Sequence, residues 1–186
     1  RLDNLIVDTV ICDNKRGAYM AIKHLIELGH RGIGLIGGIP NITSSEERKQ
    51  GYHDAHNECG IKVKPPYVRD GQSTIESGKE IARDLLMLEK PPTALFVANN
   101  LMTLGAIAAI HELGLAVPDD ISLVGFDDAP WAEAMHPKIT VVRQPAYQQG
   151  VMAADMLLDR INNPKKPESL IMLHPELIGR DSTKKI

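Results

Sequence analysis

The segment PPTALFVANNLMTLGAIAAIHELGLAVPDDISLVGFDD, residues 91–128, holds a strand, a helix and a second strand in immediate succession. Ala94–Ala98 and Ile121–Val124 are short, continuous apolar runs, which are typical of strands buried on both faces. Between them, Asn99 or Asn100 can cap an apolar helical segment. A strand, a crossover helix and a second strand predict that the two strands lie parallel in one sheet.

The same unit recurs on both sides of this segment. Helical spacing of apolar residues, with capping residues before and glycines after, predicts further helices, and short apolar runs predict further strands. The predicted helices are 14–28, 44–59, 74–88 and 99–113, and the predicted strands are 33–36, 67–69, 94–98, 121–124 and 140–143. Ser44 with Glu47, and Ser73 with Glu76, have the spacing of capping boxes. The predicted fold class is therefore α/β, a parallel sheet with helices on both faces.

The pattern changes after Arg143. A helix over 147–161 and a strand over 170–173 are predicted, and the helix carries an apolar face too large to remain in water. Only the stretch around Val7 to Ile11 is free to lie against it. We therefore expect a separate layer, part of a second subdomain.

Composition excludes several classes of protein. The 186 residues carry 21 Lys and Arg against 24 Asp and Glu, a formal charge of −3, so no broad positive field exists to hold a nucleic-acid backbone. No apolar run reaches the roughly 18 residues of a membrane span, and no membrane partner is expected. Cys12 and Cys59 form no metal-binding pair, and buried thiols of a reducing compartment are the favoured interpretation. Since the first residue is Arg1, the sequence is expected to be a fragment or a trimmed chain.

Three patterns resemble chemical motifs but are not expected to function as such. Gly32-x-Gly34-x-x-Gly37 falls within a strand, whereas a dinucleotide-binding loop needs open backbone amides at a helix start. His53, His56 and Cys59 drift around their helix and are better explained as a solvated face than as metal ligands. Asp127 and Asp128 point in different directions as strand neighbours. No catalytic residue, metal or cofactor is predicted, and an enzyme is not expected.

Polar residues instead cluster where the predicted strands end. Ligands of open parallel sheets bind beyond the carboxyl ends of the strands, and these ends carry Ser44, Arg48, Asn99, Asp127 and Gln144. Such side chains supply donors and acceptors for a small polyhydroxylated or heterocyclic ligand. Each also has a simpler explanation: a helix cap for Ser44 and Asn99, a solvated charge for Arg48, a turn for Asp127. Trp131 either stacks on an apolar ligand face or belongs to the core.

Several long motifs in the same order resemble the lactose/galactose repressor (LacI/GalR) family of bacterial transcriptional regulators. They are Asp13-Asn14, HLIELGHRGIGLIGG from His24, SSEERKQGY from Ser44, PPTALFVANN from Pro91, VPDDISLVGFDD from Val117, PKITVVRQP from Pro137 and LIGRDST from Leu177. The resemblance implies a periplasmic-binding-protein-like fold of two subdomains with an effector between them. It assigns residues 13–144 and 175–186 to the C-terminal, effector-binding subdomain, and 1–12 and 145–174 to part of the N-terminal one.

By the same resemblance, effector contacts fall on Ser44, Arg48, Asn99, Asp127 and Gln144, with Asp13 a weaker candidate. The implied effector is sugar-like, less readily a purine. The departures are Asn100 in place of the Asp commonly paired with Asn99, and Ser73 and Ala146 where some sugar-responsive relatives have aromatic rings.

The resemblance also implies a cytoplasmic homodimer joined through the C-terminal subdomain, and operator DNA contacted only through an N-terminal helix-turn-helix headpiece that is absent from these residues. The helix at 100–113 is apolar around most of its circumference, so one face meets a partner subunit or the whole helix is buried within one chain. Two other functions stay open. A periplasmic sugar-binding protein of a transport system shares the architecture, and an α/β enzyme acting on sugar phosphates or nucleotides is a more distant alternative.

Overall fold

A computed structural model describes residues 7–186 and contains eight strands and six helices among them. The strands are β1 (Thr9–Cys12), β2 (Ile33–Gly37), β3 (Val68–Asp70), β4 (Ala94–Val97), β5 (Ser122–Phe126), β6 (Thr140–Arg143), β7 (Leu170–Leu173) and β8 (Glu176–Ile178). The helices are α1 (Asn14–Glu27), α2 (Thr43–Glu58), α3 (Ile75–Leu86), α4 (Asn100–Glu112), α5 (Pro130–Ala134) and α6 (Ala146–Asn162). A single 3-10 turn, Pro65–Tyr67, precedes β3.

Six strands form the main sheet in the order β3-β2-β4-β5-β6-β8. The first five are parallel, and β8 adds an antiparallel edge against β6. The predicted α/β class with a mostly parallel sheet is confirmed. β8 and α5 were not predicted, because each is a short segment without a clear apolar period.

Side chains alternate between the two faces of the central strands, and each face has its own apolar core. Leu35, Phe96 and Phe126 belong to the core beneath α1 and α2. Ile36, Leu95 and Leu123 belong to the core beneath α3 and α4. The structure is therefore a sandwich of helix pair, sheet and helix pair, with both faces of the sheet out of water.

Two glycines of the dinucleotide-like pattern lie within a strand, as predicted. Gly34 and Gly37 are within β2, and a Cβ on Gly34 would lie 2.7 Å from Leu95 Cδ2. The glycines therefore serve close packing in the strand. The expected solvated helix face at His53, His56 and Cys59 is wrong for His56. Its imidazole is buried and is hydrogen-bonded to the carbonyl of Tyr52.

A small unit lies beside the main sheet. β1 and β7 form a separate two-stranded parallel sheet, and α6 contacts β1. α6 has no buried residue, and Leu157, Leu158 and Ile161 are exposed. Residues 145–174 thus form their own layer with 9–12, and residues 1–6 of the predicted partial subdomain lie outside the described residues.

The end of the chain is fastened to the amino-terminal edge of the main sheet. The buried imidazole of His30 lies within hydrogen-bond distance of Thr93 Oγ1, Ser122 Oγ and the Lys184 carbonyl. His24 Nε2 lies 3.0 Å from Thr183 Oγ1, and the Ile186 amide donates to the Leu28 carbonyl. Burial lowers the pKa of both His24 and His30.

The close approach of α3 and α4 yields a stability prediction. A Cβ on Gly105 would lie 2.0 Å from the carbonyl oxygen of Ile75, a backbone atom that cannot move without the helix. Gly105→Ala should therefore lower the free energy of unfolding by at least about 1 kcal/mol, despite the higher helix propensity of alanine. Gly150→Ala in α6, where a Cβ meets nothing within 4 Å, is the control and should raise it by up to about 1 kcal/mol. Urea unfolding followed by circular dichroism measures both, and equal effects would contradict the packing.

The lowered pKa of His30 predicts a pH dependence. Since the folded-state pKa lies below the unfolded one, the unfolded chain takes up protons first as the pH falls. The stabilisation is complete above the unfolded pKa of about 6.5 and is lost as the pH falls from there towards the folded pKa. Urea midpoints should fall between about pH 7.5 and pH 5.5, and less steeply in His30→Gln. A His30→Gln slope equal to that of the wild type would refute this role of His30.

Candidate functional site

The parallel strands bring their following residues to one edge of the main sheet. In the register, Gly37 pairs with Asp70 and Val97 with Gly125, so these strands end at similar heights. Hydrogen bonds continue along this edge: the amide of Ala98, which follows β4, donates to the Ile36 carbonyl in β2. The carboxyl edge is thus a continuous row of strand ends.

Arg48 lies at this edge, on the inner face of α2. Its side chain is only 9% exposed, so the alternative of a solvated charge is wrong. Nε and Nη2 donate to Asn14 Oδ1 at 2.9 and 2.8 Å, and Nη1 donates to the Ala98 carbonyl. The guanidinium carbon lies 3.6 Å from the centre of the Phe126 ring, a cation–π contact. These bonds use three of the five guanidinium N–H groups.

The charges around Arg48 are concentrated near one thiol. Burial lowers the pKa of Arg48, and the charge of Asp127 opposes this effect. Burial raises the pKa of the Cys12 thiol to about 11, with Arg48 acting against it and Asp13 and Asp127 adding to it. The guanidinium of Arg48 and the carboxylates of Asp13 and Asp127 therefore all act on the pKa of the Cys12 thiol.

Asp127 and Gln144 contact each other directly. Gln144 Nε2 donates to Asp127 Oδ1 at 2.5 Å, joining the end of β5 to the segment after β6. Asp127 has φ +79° and its amide donates to the Val142 carbonyl, so it also forms the turn expected of it. The charge of the Asp127 carboxylate acts on the buried guanidinium of Arg48.

Asn99 and Ser44 flank Arg48. Asn99 caps α4, since its Oδ1 accepts from the Met102 amide at 2.8 Å, and its neighbour Ala98 is the carbonyl that Arg48 holds. Ser44 is half-buried in the first turn of α2, four residues before Arg48 and on the same side of the helix. Ser44 does not cap α2: the N-cap is Ile42, without a side-chain bond, so the predicted capping box is wrong.

Asp13 belongs to the joint between the small unit and the main one. It caps α1 by accepting from the Arg16 amide at 2.9 Å, and His174 Nδ1 lies 3.7 Å from its other oxygen. Asp13 thus stands at the carboxyl end of β1, close to the end of β7.

Trp131 lies on α5, just after Asp127 and Asp128. It is half-buried and packs against the apolar core beneath α3 and α4. This is the core position given above as its alternative explanation, and its role against a ligand stays a prediction.

One residue of this edge, Asn14, is not among the site residues that the sequence predicts. Asn14 is 7% exposed and donates from Nδ2 to Glu47 Oε2 at 3.0 Å as well as to the Cys12 carbonyl. The pair Asp13-Asn14 was recognised as a helix start, but the bond from Asn14 to Arg48 spans 34 residues. No local spacing reports such a contact.

A cavity of about 550 Å³ lies away from this edge, between α6 and β1, where Asp8 and Arg160 line it. In residues 7–186, no group of three or more His, Cys, Asp or Glu side chains is arranged to hold a metal ion. Within the same range, no helix is both long and apolar enough to cross a bilayer. The arrangement is suited to hydrogen-bonding a polar solute.

Comparison with known sequences gives a consistent result. The family model of the periplasmic binding protein-like domain matches residues 22–183. The HTH-type transcriptional repressor PurR of Pasteurella multocida is 38% identical over 182 residues, which are 98% of this chain and 54% of that protein. The probable HTH-type transcriptional repressor ExuR of Bacillus subtilis is 36% identical over 185 residues, 100% of this chain and 56% of that protein. The chain spans about half the length of these relatives.

Solved structures agree. The transcriptional regulator CelR in complex with cellobiose superposes with a TM-score of 0.90 at 35% identity, covering 95% of this chain and 54% of that one. A LacI family transcriptional regulator of Enterococcus faecium with bound ribose gives 0.88 at 29% identity, covering 96% and 66%.

The family match, the relatives and the superposed structures agree with one another. The resemblance to the lactose/galactose repressor family is confirmed, and the chain belongs to the periplasmic binding protein-like domain family.

Proposed function

We propose that this chain is the effector-binding and dimerisation region of a bacterial transcriptional regulator of the LacI/GalR type, and that it is not an enzyme. The observation that carries the proposal is the buried Arg48. Asn14 and Ala98 fix its position through three of its five N–H groups, and the charge of Asp127, which is hydrogen-bonded to Gln144, acts on it. A fork of donors next to fixed acceptors suits a ring bearing several hydroxyl groups.

The proposed effector is a sugar or sugar derivative, with a purine as the second candidate. Relatives of known structure hold cellobiose and ribose, and other relatives bear the name PurR. Arg48 would donate to ligand oxygens, Asp127 would accept from hydroxyl groups, and Asn99, Gln144 and Ser44 would complete the ring of contacts. Asp13 and Trp131 would reach the ligand from the two ends of this edge.

The division of the chain supports a closing mechanism. We propose that residues 13–144 and 175–186 are the C-terminal subdomain, and that 145–174 with 1–12 are part of the N-terminal one. The exposed apolar side chains of α6 would then be covered by the rest of that subdomain. A ligand held between the two would favour the closed arrangement.

Operator DNA would be bound by a helix-turn-helix segment outside these residues, as the names of the HTH-type relatives suggest. The mild negative charge of the present chain is compatible with that division of labour. Such a regulator would act in the cytoplasm. The repressor relatives favour this function over a periplasmic transport protein.

A homodimer is proposed through one face of α4. Leu101 is 45% exposed and the adjacent Ile75 on α3 is 40% exposed, while Ile107 packs into the core. The alternative that the whole of α4 is buried within one chain is therefore wrong, because Leu101 is exposed. Leu104, half-buried and one turn further, would extend the same patch.

Arg48→Ala should weaken effector binding by at least about tenfold, because hydrogen bonds to a charged group contribute about 1.5–3 kcal/mol each. A thermal-shift panel of cellobiose, ribose, glucose and guanine selects the probe, and calorimetry then measures its affinity. Arg83→Ala, an exposed arginine on α3, is the matched control and should bind as wild type does. A panel without any stabilising compound, or an unchanged affinity in Arg48→Ala, would contradict the proposed site.

Leu101→Glu should shift the protein towards monomers, because a carboxylate would be buried without a partner in the proposed interface. Sedimentation velocity over a range of concentrations measures the change. Met87→Glu is the control: Met87 is also apolar and is 63% exposed, but it lies beyond the opposite end of the 12-residue α3, about 18 Å from Ile75. If the wild-type protein is a dimer and the Leu101→Glu variant is a dimer as well, the interface lies elsewhere.

A further inference from the structure

The side chain of Asn14, on α1, bonds to three residues that lie on two other elements. It donates to the Cys12 carbonyl at the end of β1 and to Glu47 on α2, and it accepts two bonds from Arg48. Asn14 is the first residue of α1, but α1 is capped by Asp13, not by this amide. Its polar atoms therefore serve the surroundings of Arg48 and not its own helix.

The orientation of this amide is fixed by its partners. Glu47 Oε2 and the Cys12 carbonyl are both acceptors, so they must face Nδ2. Nε and Nη2 of Arg48 are both donors, so they must face Oδ1. Only an amide satisfies both sides. A carboxylate at position 14 would place an oxygen against the Glu47 carboxylate, and an aliphatic side chain would leave a buried guanidinium without two of its three bonds.

We propose that Asn14 is the positioning residue for Arg48 in effector recognition. Asn14 holds the Nε side of the guanidinium, so that the remaining N–H groups of its terminal nitrogens are presented to the ligand as a fork. The inference rests on the proposed function, since it assigns Asn14 a role in the same site. Asn14 also donates to the Cys12 carbonyl at the end of β1, where the chain passes from the small unit to the main sheet. The direction of the fork therefore depends on how these two parts lie relative to each other.

The position of Arg48 can be tested without any ligand. The Nε–Hε group of arginine gives its own signal in ¹H–¹⁵N spectra, and Arg48→Lys assigns it by deletion. In the wild-type chain we expect slow exchange of this proton with water, because the group is buried and bonded to Asn14. Asn14→Ala should accelerate the exchange at least about tenfold, the effect of losing one hydrogen bond of ordinary strength.

Two further variants separate positioning from general loosening. Asn14→Asp keeps an acceptor for Arg48 and should retain slow exchange, whereas Asn14→Ser is too short to reach and should lose it, which also serves if Asn14→Ala does not fold. Asn57→Ala, an exposed asparagine on α2, is the matched control and should exchange as wild type does. Slow exchange of Arg48 Hε in both Asn14→Ala and Asn14→Ser would overturn the proposal.

Binding supplies the second measurement, with cellobiose as the probe. Asn14→Ala should weaken cellobiose binding about tenfold in the wild-type background, and less than about twofold in the Arg48→Lys background, where the fork is already lost. Equal losses in both backgrounds would show that Asn14 acts independently of Arg48 and would overturn the proposal. If the wild-type chain does not bind cellobiose, that result counts against a sugar site, and the exchange rates still decide the role of Asn14.

Discussion

The burial of one guanidinium constrains the whole carboxyl edge. Removing an arginine from water costs several kcal/mol unless its donors are satisfied, and here the compensation comes from Asn14, the Ala98 carbonyl and the face of Phe126. These three partners belong to the start of α1, the end of β4 and the end of β5. Because each must be in place for the charge to be tolerated, Arg48 fixes the relative positions of these elements more tightly than apolar packing alone would.

The two apolar cores make this arrangement possible. Strand side chains alternate between the α1/α2 core and the α3/α4 core, so the sheet is held rigidly from both faces. Glycines allow the helices to approach closely: a Cβ on Gly51 would lie 2.1 Å from the Lys15 carbonyl, between α2 and α1. The polar edge can therefore be built from side chains on rigid elements, which is what accurate hydrogen bonding to a small solute requires.

The sequence predicts those features that depend on local pattern. β6 and β7 were predicted with their observed bounds, and α1 and α4 within one residue at each end, because apolar periods and capping residues determine them. Capping boxes were less reliable. Glu47 accepts a hydrogen bond from Asn14 instead of bonding to the start of its own helix. Thr74 rather than Ser73 caps α3, since Ser73 adopts φ +58°.

Contacts at long range could not be predicted in this way. The residues of the carboxyl edge followed from topology, since parallel strands end together, but the partners of each side chain did not. Asn14 reads locally as a residue near a helix start, and its bonds to Glu47 and Arg48 become visible only when α1 packs on α2. For Trp131 the local pattern leaves two roles open, and only the packing shows its contact with the core beneath α3 and α4.

The carboxyl edge lies beside the points where the chain passes between the main sheet and the small unit. This position gives the proposed regulation a physical basis. The chain passes between the main sheet and the small unit near Asp13, near Gln144 and near His174, and all three lie where strands end. Gln144 is bonded to Asp127, Asp13 is close to His174, and Asn14 ties Arg48 to the end of β1. A ligand on this edge would therefore touch the joints themselves. Since a ligand shifts an equilibrium only by its difference in affinity for two states, contacts at the joints are where such a difference would arise most directly.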